Sequence, residues 1–78
     1  MLVTFIQAAM EHATYEKLET GEYYGEIPVC PGVWAEGQNL EACRRELQEV
    51  LEDWLMLKLR DGDELPVVDG IDLNLQKV

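Results

Sequence analysis

Histidine occurs once in this 78-residue chain, phenylalanine once and cysteine twice, and six basic side chains stand against sixteen acidic ones. Each shortage removes a class of function. Cys30 and Cys43 are too few for a disulfide framework and lack C-x-x-C spacing, so they are expected as reduced thiols. With His12 they would make a zinc site of scattered single ligands, without the paired spacing that fixes a tetrahedron. The same three residues are the candidates for nucleophilic catalysis, but no base-orienting pattern joins them. No long hydrophobic run is present. Residues 1–10 are apolar but interrupted by Thr4 and Gln7, have no basic leader, and are too short to cross a bilayer, so the chain is expected in the cytoplasm and off the membrane. Gly21, Gly25, Gly32 and Gly37 are spread over separate turns and strands rather than gathered into a phosphate-binding loop. The deficit of basic residues leaves a net charge of −10, which repels phosphate backbones, argues against direct nucleic-acid binding and favours a basic partner surface. A plainer reading of the charge is that it keeps a small protein soluble.

What is present reads as one domain over residues 1–78. A chain of this size buries only about 60 to 65% of its unfolded surface, so the core is small. Leu2, Phe5, Ile6, Ala9 and Met10 recur at helical spacing and predict a short N-terminal helix. Ala13 to Leu18, the Thr20-Gly21 turn and the tyrosines that follow predict a hairpin. A second reversal runs from Pro28 to Gly32, and the third strand is expected over Val33 to Glu36. Asn39 suits the N-cap of the main helix and Glu41 its positive end. The stripe Leu40, Cys43, Leu47, Val50, Leu51, Trp54, Leu55 and Lys58 predicts its buried face, with Trp54 in the core and Lys58 snorkelling at the end. Asp61-Gly62 should stop the helix. Beyond Asp69-Gly70, Ile71, Leu73 and Leu75 alternate with Asp72, Asn74 and Gln76, the pattern of a C-terminal strand. The expected class is α+β: N-terminal helix, three-stranded antiparallel sheet, long helix packed on it, C-terminal strand.

Carboxylates abound without converging. Glu46, Glu49, Glu52 and Asp53 fall on the exposed side of the main helix and read as solvated charge. The loop holding Asp61, Asp63, Glu64 and Asp69 invites a calcium reading, but an EF-hand starting at Asp61 would put Leu65 and Pro66 where a ligand and the turn glycine belong. No catalytic residue, cofactor or metal is therefore expected.

The sheet carries the more useful asymmetry. If Ile27 points to the main helix, alternation puts Tyr23 and Gly25 on that inner face and Tyr24 and Glu26 on the other. Val33 and Ala35 would likewise face inward, leaving Trp34 and Glu36 outward. Tyr24, Glu26, Trp34 and Glu36 then form an aromatic and acidic patch suited to a basic partner. Two other readings compete. Tyr24 and Trp34 could pack beneath the N-terminal helix, or the patch or a strand edge could drive assembly into a homo-oligomer.

The run Tyr23, Tyr24, Ile27, Pro28, then Pro31-Gly32, then Trp34, Ala35 and Gly37, with Leu40, Glu41 and Ala42 opening the helix, resembles the N-terminal domain of HicB-like antitoxins, most strongly from Glu22 to Gly62. The resemblance implies a truncated ribonuclease H-like β-β-β-α-β unit. It also implies a non-enzymatic protein that docks on a small basic HicA-type ribonuclease toxin and blocks its catalytic surface. Many members continue into a DNA-binding segment, which is expected to be missing after Val78, so autorepression is not implied. The alternative is a self-assembling structural or regulatory module without a toxin, and a weaker one is a carboxylate-dependent hydrolase.

Overall fold

The computed structural model describes residues 2–74, in which two helices and a three-stranded antiparallel sheet make an α+β fold. Helix α1 spans Leu2–Glu11, strand β1 Thr14–Lys17, β2 Tyr23–Glu26, β3 Trp34–Gly37, and helix α2 Leu40–Asp61. The sheet order is β1-β2-β3, with Glu16 opposite Tyr24 in the first pairing, and Tyr24 opposite Glu36 and Glu26 opposite Trp34 in the second. The third strand thus begins one residue later than the alternation alone suggests. Ile27 N–H donates to the Val33 carbonyl at 3.1 Å, and nested turn bonds through Cys30 close the reversal between them.

Helix α2 has both ends built as its sequence indicates. The Asn39 side-chain oxygen accepts from Ala42 N–H at 2.8 Å, satisfying a first-turn donor. At the other end Gly62 takes φ 71, its N–H reaches the Leu59 carbonyl and Asp63 N–H the Lys58 carbonyl, which together form a Schellman motif. The fully buried line of α2 is Cys43, Leu47, Leu51 and Leu55, every fourth residue. Three apolar members of the expected stripe leave it. Leu40, the first residue of α2, is 46% exposed, and Val50 and Trp54 are only half-buried, with the Lys58 ammonium 5.5 Å from the Trp54 ring centroid.

Helix α1 lies on the same side of the sheet as α2. Its Phe5, Ala8, Ala9 and Met10 join Ile27, Cys30, Val33, Ala35 and Leu47, Leu51 and Leu55 of α2 in one core, completed by Leu65 and Val68. Because α1 finds its apolar cover there, it does not cover the other sheet face, and the reading that packs Trp34 and Tyr24 beneath it is overturned: Trp34 is 53% exposed.

The expected C-terminal strand is not formed between Ile71 and Asn74. Val68 and Ile71 instead make an isolated bridge closed by Asp69 and Gly70, both with positive φ, a two-residue turn of the type an Asp-Gly pair favours. Asn74 then clamps the Leu65 backbone, its side-chain oxygen accepting from Leu65 N–H at 2.8 Å and its amide donating to the Leu65 carbonyl at 2.9 Å. Between Ile71 and Asn74 this amide clamp, not a strand ladder, holds the segment to the rest of the fold. Leu75 and Gln76, the rest of the expected strand, lie outside the described residues.

Candidate functional site

Cross-strand partners in an antiparallel sheet share a face, so the register decides which side chains meet. On the face turned from the helices it assembles Thr14 and Glu16 of β1, Tyr24 and Glu26 of β2, and Trp34 and Glu36 of β3. All four residues singled out in the sequence, Tyr24, Glu26, Trp34 and Glu36, lie on this face together. Gly25, Ile27, Val33 and Ala35 are buried on the other, as the alternation requires.

Tyr24 and Trp34 are diagonal neighbours whose rings stack, centroids 5.9 Å apart at an interplanar angle of 27°. The Tyr24 hydroxyl donates to Glu26 Oε1 at 2.9 Å. That hydrogen bond holds the phenol proton and raises the Tyr24 pKa; burial and the charges of Glu26, Glu36 and Glu16 push the same way. Three carboxylates therefore surround the aromatic pair, and among the described residues none of them forms an ion pair. The cations lie elsewhere: Lys17 alternates to the opposite side of β1, Arg45 pairs with Glu41, and Lys58 with Asp63.

Glu16 is the member of the patch that the sequence reading missed. Extending the alternation into the first strand would have found it, because Tyr15 packs inward against Gly25 and so turns Thr14 and Glu16 outward. Glu16 and Glu36 flank Tyr24 in one row across the sheet, and Glu26 stands in the next row between Thr14 and Trp34.

Nothing else among the described residues gathers comparable chemistry. Cys30 and Cys43 are free and buried, and burial pushes the Cys30 thiol up to about 11. No group of three potential metal-ligating side chains converges among the described residues, and no helix there is long and apolar enough to cross a membrane. His12 Nε2 lies 2.7 Å from Asp69 Oδ1, which ties the end of α1 to the late turn rather than to any nucleophile. An open groove of about 690 Å³ lies between α1 and α2, lined by Ile6, Met10, Tyr15, Arg44 and Gln48 among others. What the outer sheet face can do chemically is bind: it offers flat aromatic surface ringed by unpaired negative charge.

Comparison with known proteins places this architecture. A family model described as UPF0150-like matches residues 4–66. A Thermotoga maritima protein described as a UPF0150 protein is 40% identical over 60 residues, covering 77% of this chain and 76% of its own. A crystal structure of a Thermus thermophilus protein superimposes with a TM-score of 0.90 at 42% identity, over 97% of this chain and 95% of its own.

Proposed function

The chain belongs to the UPF0150 family, and from that footing we propose that it is a non-enzymatic, cytoplasmic binding protein of HicB-like type that neutralises a small basic ribonuclease by docking on it. The observation that carries this reading is the outer sheet face: a stacked Tyr24–Trp34 pair enclosed by Glu16, Glu26 and Glu36, none of which has an ion-pair partner among the described residues. Such a face suits a partner rich in Arg and Lys. The aromatic pair supplies desolvated contact area, and the carboxylates attract guanidinium groups and steer their approach. The net charge of −10 adds long-range attraction to a basic protein and repulsion from RNA, so the toxin and not its substrate is the partner. Inhibition follows from occupancy: a basic ribonuclease needs its cationic surface to hold RNA phosphates, and the acidic face covers that surface.

The test is a calorimetric titration against a small basic HicA-type ribonuclease, with RNA cleavage followed in parallel. Binding should weaken as salt screens the charges and should fall by about 2 kcal/mol, roughly thirtyfold, in Trp34→Ala. Reversing Glu26 and Glu36 to Lys should abolish both binding and protection of the RNA. Binding that ignores salt and both sets of variants would remove this face from the interface.

A further inference from the structure

The hydrogen-bond phase of the sheet leaves one edge of particular character. Since Ile27 N–H bonds to the Val33 carbonyl, residues 33, 35 and 37 of the third strand point their backbone groups at β2, and Trp34 and Glu36 point theirs away. Among the described residues no strand pairs with that edge. The opposite edge, on β1, is a Thr-Tyr-Glu-Lys run whose charged side chains protect it, whereas β3 is Trp-Ala-Glu-Gly.

Helix α2 packs chiefly on β3 and so overhangs this edge. Arg44 and Gln48 face the groove toward α1 and Tyr15. Val50, Trp54 and Leu57, roughly half a turn around, therefore occupy the opposite flank, beside the open edge. Val50 and Trp54 are half-buried and Leu57 is 50% exposed, so an apolar flank accompanies the unpaired backbone.

From the open edge and the apolar flank beside it, we propose that β3 pairs antiparallel with β3 of a second copy about Ala35, forming a two-fold dimer with one continuous sheet. The strand is suited to its own copy. Pairing about Ala35 sets Trp34 opposite Glu36 of the other protomer, so on the outer face an aromatic meets each carboxylate and no carboxylate meets itself. On the inner face the two α2 flanks run side by side and cover Val50 and Trp54. The dimer joins two aromatic–acidic patches into one surface without depending on any toxin.

Sedimentation equilibrium of the full chain, from micromolar to near-millimolar concentration, should give twice the chain mass of 8.9 kDa. Association should tighten as salt rises, because both copies carry −10 and screening relieves their repulsion, the reverse of the response expected for a basic partner. Glu36→Pro removes only an edge donor and should leave a monomer, and Val50→Lys, which puts a charge on the flank, should weaken the dimer at least tenfold. In the wild-type dimer the Trp34 and Glu36 amides should exchange slowly with solvent. A wild-type chain that stays monomeric, a dimer unaffected by Val50→Lys, or fast exchange at those two amides overturns the proposal. Should Glu36→Pro fail to fold, Val50→Lys and the exchange rates decide.

Discussion

Gly37 marks a close approach between the sheet and the long helix. A Cβ there would lie 2.7 Å from Cys43 Cα and 2.9 Å from the Ala42 carbonyl carbon, and would also strike the Cys43 amide nitrogen. All three are backbone atoms of the first turns of α2, so no side-chain rotation relieves the clash. Gly37→Ala should cost about 3 kcal/mol, read as a lower midpoint in a denaturant titration. Cys30 makes a second prediction at this scale. The side chain is fully buried, and burial raises the thiol from 9.0 to about 11. The folded state thus keeps its proton where the unfolded chain has lost it, so this stabilisation is complete below pH 9.0 and is lost as pH rises through about 11. The melting temperature should fall over that interval. Cys30→Ala should flatten part of the decline, leaving what Cys43, Tyr15 and Tyr24 contribute, since all three are also raised.

At the scale of the element, α2 organises the fold because it is long, capped at both ends and buried along one line. Its 22 residues place Cys43 over the sheet, where the thiol donates to the Ala35 carbonyl at 3.6 Å, and carry Leu51 and Leu55 onward to meet α1 and the late turn. Removing the N-cap oxygen by Asn39→Ala should lower stability by about 1 kcal/mol without changing the helix span, measured by thermal melting followed in the far ultraviolet. Capping was legible in advance because it is local: Asn39 and Gly62 act on donors and acceptors within a few residues of themselves. The limits of the buried stripe were less so. Leu40, Val50 and Trp54 satisfy the helical period, but how far each is covered depends on what the rest of the fold sets against it, which the period does not encode.

For the whole molecule, charge and shape make opposing demands that salt separates. A chain at −10 should lose affinity for a basic partner and gain affinity for its own copy as ionic strength rises, so the two proposals are resolved by one pair of titrations. The candidate face was partly readable beforehand. Tyr24, Glu26, Trp34 and Glu36 followed from alternation around Ile27, whereas Glu16 required the first hairpin's pairing, which sets it opposite Tyr24.

The sequence by itself determined the two-residue alternation of the strands, the helical period of α1 and α2, the caps and turns, and the surplus of acid, because each arises from neighbours along the chain. Tertiary structure alone decided that α1 joins the helical layer and leaves Trp34 bare, that Asn74 clamps Leu65 where the alternation from Ile71 pointed to a strand, and that Glu16 completes the acidic ring. These outcomes turn on contacts between residues distant in sequence, where several pairings satisfy the same local pattern and only the best shared burial of Phe5, Ile27, Leu47 and Leu51 selects among them.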